Sequence, residues 1–172
     1  MWLGLVEIFT KRAARGIDGC EYVLALDRNL VNAHAAIGYG KILIGRGEET
    51  EAHIAEALRL SPRDTLTYVW MTHAGMAKLH LGSFEQAVVW CLRAIEANRN
   101  YARAFFVLAA ALAQLGRIDE AQSAVEAAFA LNPTFPISRA RALSTALSDD
   151  PTYRLQLKHL FEGLRMAGVP EE

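Results

Sequence analysis

Leu81-Gly82-Ser83-Phe84-Glu85-Gln86-Ala87 and Leu115-Gly116-Arg117-Ile118-Asp119-Glu120-Ala121 are two copies of one pattern, 34 residues apart. Gly82 falls on Gly116 and Ala87 on Ala121; further along, Ala94 falls on Ala128. A third copy runs from Ile44-Gly45-Arg46 to Ala57-Leu58-Arg59-Leu60-Ser61-Pro62, whose end matches Ala128 to Pro133 at a spacing of 71, two periods plus three inserted residues. An incomplete copy ends at Ala25-Leu26-Asp27-Arg28. Self-similarity at such a period marks a stack of small units that bury a continuous core between neighbours.

Each unit reads as two helices. Phe105, Leu108, Ala109 and Leu112 recur at steps of three and four, one stripe of an α-helix. Gly116 ends that helix, because glycine takes positive φ without strain. A second stripe follows through Ala121, Val125, Ala128 and Leu131, closed by Pro133. Ser83 and Gln86 have the spacing of a capping box. Small residues at Ala87, Ala94, Ala121 and Ala128 let the paired helix come close, with Phe105 and Leu108 filling the facing holes. The turns are expected near residues 45–47, 82–83 and 116–117, and no strict alternation suggests a strand.

The unit resembles the tetratricopeptide repeat. Residues 102–135 carry the most complete copy, with Phe105, Leu108, Ala109, Leu112, Ala121, Val125, Ala128 and Pro133 at signature positions. Residues 68–101 follow with Met71, Gly75, Ala87, Cys91 and Ala94, although Arg99 stands for the closing proline; residues 31–64 follow with Thr50 for the usual alanine. Residues 1–30 form a degenerate partial repeat, 65–67 the insertion, and 136–172 two capping helices and a frayed tail. The expected fold is all-α: a right-handed α-solenoid of about 3.5 repeats. The first capping helix is expected from Thr134 or Phe135 to about Leu147. The second, capped by Asp149-Asp150-Pro151, is expected from about Thr152 to Met166, with Tyr153, Leu157, Leu160, Phe161 and Leu164 on its apolar face.

Composition narrows function. The 172 residues are 52% hydrophobic and 22% charged, with a net charge of −1 and no basic footprint, so nucleic acid is not an expected partner. No run is long and apolar enough to span a membrane. Lys11, Arg12 and Arg15 follow the apolar start instead of preceding it, unlike a secretory signal. Cys20 and Cys91 read as reduced core thiols of a cytoplasmic protein. His34, His53, His73, His80 and His159 form no HExxH, and no CxxC or phosphate loop occurs. His73 and His80 share a helix face; a metal site would need a third ligand, which His34 could supply from the neighbouring unit. No catalytic set, metal or cofactor is expected.

The resemblance implies a concave groove lined by the first helix of each unit. Carried over, its positions are Asn32, Tyr39 and Ile42 in the first full unit, and His73, Met76 and His80 in the second. The third unit contributes Arg103, Phe106, Val107 and Gln114. The lysine and asparagine set with which some family members clamp a terminal carboxylate is missing, and Arg103 is the sole groove cation. The implied role is a non-catalytic scaffold for a protein or peptide partner, presented as a helix or extended segment. In the alternative, the groove is filled by the chain's own terminal helix or by a second copy. Trp2, Leu5 and Phe9 suggest a homodimer through residues 1–15. Asp150-Pro151-Thr152-Tyr153 and Glu162-Gly163-Leu164-Arg165-Met166-Ala167-Gly168-Val169-Pro170-Glu171 are similar to the end of bacterial signalling proteins in which such repeats follow a class III adenylate or guanylate cyclase or a DNA-binding domain.

Overall fold

The computed structural model describes residues 7–172. Among them are nine α-helices and no strand: α1 (Ala13–Leu26), α2 (Val31–Leu43), α3 (Thr50–Leu60), α4 (Thr67–His80), α5 (Phe84–Ala97), α6 (Ala102–Gln114), α7 (Ile118–Leu131), α8 (Ile137–Leu147) and α9 (Pro151–Met166). The pairs α2–α3, α4–α5 and α6–α7 stack side by side as an α-solenoid, with α1 packed on α2.

The turns inside the three pairs share one construction. Gly45, Gly82 and Gly116 have φ of 72°, 75° and 75°. Past each glycine the chain folds back, and the amides of Arg46, Ser83 and Arg117 donate to the carbonyls of Lys41, Lys78 and Leu112 at 2.8–3.0 Å. This closes the helix with a Schellman motif, which a side chain with a Cβ enters only at a cost. Ser83 does stand at the N-cap of α5, but its hydroxyl makes no capping bond, so the expected capping box does not form. The links between pairs are also alike: the side chains of Asp27, Asp64 and Asn98 accept from the amide two residues on, at 2.9 Å each.

The seams within pairs explain the small residues. A Cβ on Gly38 would stand 3.0 Å from Ile54 Cδ1, and one on Gly75 2.8 Å from Cys91 Sγ. Ala109 holds the same position in α6, and Ala57, Ala87, Ala94, Ala121 and Ala128 are fully buried on the facing helices. Thr50 replaces alanine without leaving a polar atom stranded, because its hydroxyl donates to Gly38 O at 2.9 Å.

The C-terminal part departs from expectation in three ways. Helix α8 begins at Ile137, with Pro136 as its extended N-cap. The tail is not frayed: Val169 is buried, and the carbonyls of Pro170 and Glu171 accept from the amides of Ile137 and Ser138 at 2.9 Å. The tail thus satisfies two of the free amides at the start of α8. Finally, α9 does not sit across the end of the solenoid but packs mainly on α6 and α4. Asp150 accepts from the Tyr153 amide at 2.9 Å, with Pro151 in the first turn, as the sequence suggests.

Candidate functional site: a cleft beside the last helix

The first helices α2, α4 and α6 lie in register, so equivalent positions form rows across the concave side. Helix α9 covers the rows at their C-terminal ends. Ser148, just ahead of it, donates to Leu43 O at 2.6 Å. The Tyr153 ring stands edge-on to His80, 5.7 Å between centroids. The ring nitrogen Nδ1 of His159 lies 3.1 Å from His80 O, and Gln114 donates to His159 O at 2.9 Å. At Gly163 the two backbones touch: a Cβ there would stand 2.5 Å from Ala110 O. Of the residues assigned to the groove, His80 and Gln114 therefore lie against α9, and Ile42 is fully buried.

Beside the part that α9 covers, the concave side remains open as a cleft of about 350 Å³. Tyr39, Met76, Arg103, Phe106 and Val107 line it, together with Leu143 and Leu147 of α8 and Leu160 and Leu164 of α9. His73 stacks on Tyr39 at 4.3 Å. The register thus brings together Tyr39, His73, Met76, Arg103, Phe106 and Val107. Asn32 is exposed at the far end of α2. Phe9, whose ring meets that of Tyr39 at 5.3 Å in a tilted arrangement, and Leu143 stand at the mouth, each 53% exposed. An ion pair from Lys11 to Asp149 at 3.0 Å holds the Phe9 segment beside α9. Trp2 and Leu5 lie outside the described residues, so of the proposed pairing surface only Phe9 is placed.

The lining from α8 and α9 was not legible in the sequence. Leu143, Leu147, Leu160 and Leu164 read as one face of a cap, and periodicity tells which face is apolar without telling what it meets.

Phe106 corrects an expectation of separate faces. It is 4% exposed and packs against Phe129 and Phe135, at 5.6 and 4.8 Å, so truncating it removes core contacts as well as cleft wall. His34 does not approach His73 or His80: its ring lies 6.0 Å from His53, and its Nε2 meets Arg28 O. Among the described residues no three His, Cys, Asp or Glu side chains are placed to hold a metal ion. Burial pushes His73 and His80 down to about 3, helped by the nearby Arg103 guanidinium, and in His80 by His159 as well. Cys91 is buried behind Gly75, and desolvation pushes its thiol well up, which leaves it a packing group.

Comparison with known proteins agrees with this architecture. Tetratricopeptide repeat family models match residues 71–101 and 90–123, which identifies repeats of this type in the middle of the chain. The crystal structure of MamA is similar over 96% of this chain and 95% of its own, with 22% identity and a TM-score of 0.69. YrrB, described as a TPR protein with an unusual peptide-binding site, is similar over 93% of this chain and 82% of its own, with 19% identity and a TM-score of 0.62. At these identities the likeness establishes the fold. No curated protein matches by sequence.

Proposed function

We propose that this chain is a non-catalytic protein-interaction scaffold that meets its partner at the mouth of the cleft, around Phe9, Leu143 and Tyr39. The observation that carries the reading is the division of the concave side. One half is held by α9, and the other opens between two large apolar side chains that are more than half exposed. Exposed apolar surface beside a pocket is where a partner's anchoring side chain docks. The cleft takes single side chains inserted from a helix or an extended segment that lies across its mouth. The likeness of the C-terminal segment to cyclase-linked repeat regions supports a place in bacterial cytoplasmic signalling.

The test compares Leu143→Lys and Phe9→Lys with Leu92→Lys, which changes an exposed residue of α5. Both mouth variants should lower affinity for a captured partner at least about ten-fold while circular dichroism shows the chain still folded. Loss of affinity in Leu92→Lys alone would move the contact to α5. Phe9→Lys also addresses self-association through residues 1–15, which Phe9 at the mouth favours as a second reading. A dimer in light scattering that this change turns into a monomer would support it.

A further inference from the structure

Arg103 sits in the cleft with no carboxylate. The other cations on the first helices are paired: Lys41 with Glu49 at 3.1 Å and Glu21 at 3.8 Å, and Lys78 with Glu51 at 2.7 Å. The guanidinium of Arg103 has Met76 Sδ at 3.4 Å, with Tyr39, Tyr101 and Tyr153 around it. Among the described residues no Asp or Glu forms an ion pair with it, and residues 1–6 contain neither. Arg103 also lies in the first turn of α6, which has no acidic residue there and no side chain capping its amides. The positive end of that helix adds to the guanidinium charge. Met76 and the Tyr39 side chain partner the guanidinium, yet its charge has no carboxylate opposite it, and an anion that enters the cleft supplies one.

We infer that the cleft binds a small amphipathic carboxylate, an acid with an alkyl or arylalkyl body, whose head is held by Arg103. Its volume lies at the lower end of the usual range for small-molecule sites, about 300–1,000 Å³. Beyond the head position the walls are Met76, Phe106, Val107, Leu147, Leu160 and Leu164, which suit a hydrocarbon body. They suit a buried peptide backbone poorly, because its amides would find few partners there. The guanidinium fork offers two parallel N–H donors to a carboxylate, which an uncharged head of the same shape cannot exploit equally. The acid would take the space into which the partner is proposed to insert side chains, so the two occupants would compete for the cleft.

The experiment uses the full chain with isotope-labelled methionine methyl groups. Met76 touches Arg103, and its signal is assigned from Met76→Leu. Phenylbutyrate is titrated against phenylbutanamide, its neutral counterpart. The acid should shift the Met76 signal saturably and bind about ten-fold or more tightly than the amide. Arg103→Lys should keep part of that preference and Arg103→Met should abolish it, with circular dichroism reporting that each variant is folded. Equal binding of acid and amide to the wild-type chain, a preference that survives in Arg103→Met, or no binding of either probe overturns the inference. None of these results decides the proposed partner contact, which rests on the Leu143 and Phe9 variants.

Discussion

His80 is fully buried, and among the described residues neither of its ring nitrogens has a hydrogen-bond partner; Nδ1 of His73, two helical turns earlier, has none either. Both imidazoles stay neutral in the folded chain because burial, Arg103 and, for His80, His159 on α9 all oppose a second charge there. Unfolded, each binds a proton near the usual value of about 6.5; folded, each is held down to about 3. The unfolded chain therefore takes up more protons between these values, so stability is full above the upper one and falls as pH drops below it. Two such groups give a slope of up to about 2.7 kcal/mol per pH unit. His53, partly buried and also lowered, acts in the same direction. Urea unfolding followed from neutral pH down toward the carboxylate range should show this slope, and His80→Phe should reduce it by about one proton. An unchanged slope in that variant would mean that His80 is not held neutral in the folded chain. Sequence placed His73 and His80 on one helix face, but their loss of charge depends on what covers it: Tyr39 and Arg103 at His73, and at His80 the distant Tyr153 and His159 of α9.

Helix α9 decides what the solenoid can bind. It buries Tyr153, Leu157, Leu160, Phe161 and Leu164, at about 1.5–3 kcal/mol for each large side chain. The sum, roughly 8–15 kcal/mol as an upper estimate, is comparable to the whole stability of a typical domain. The contact at Gly163 gives a test whose sign is informative. Helix propensity alone makes Gly163→Ala favourable by about 1 kcal/mol. With α9 seated, the new Cβ would stand 2.5 Å from the backbone oxygen of Ala110 and 2.8 Å from its Cα. We expect a net loss of roughly 1–3 kcal/mol in urea unfolding. A neutral or stabilising effect would place α9 away from α6. The apolar stripe of α9 was readable from spacing, and so was its start at Asp150-Pro151. Its docking place was not, because the stripe would have been equally apolar over the end of the array. The pinned tail was hidden for a similar reason: carbonyls of Pro170 and Glu171 complete a helix that starts more than thirty residues earlier.

At the scale of the whole chain, legibility follows periodicity. The glycine turns, the close seams at Gly38 and Gly75 and the buried alanines recur, so each copy supports the reading of the others. The non-repeating C-terminal part has no second copy to compare, and its two helices convert an open concave side into a covered half and a cleft. Tyr39, Met76 and Phe106 could be grouped from register alone, whereas Leu143, Leu147 and Leu160, which close the cleft around Arg103, could not. The whole reading turns on α9 being seated on the concave side in the free chain, and hydrogen exchange of the backbone amides, resolved helix by helix, is the decisive measurement. With α9 seated, its interior amides should be protected to a degree comparable with those of α6 and be released together with them on unfolding. Rapid exchange throughout α9 while α6 stays protected would instead reveal a detached helix and an open groove.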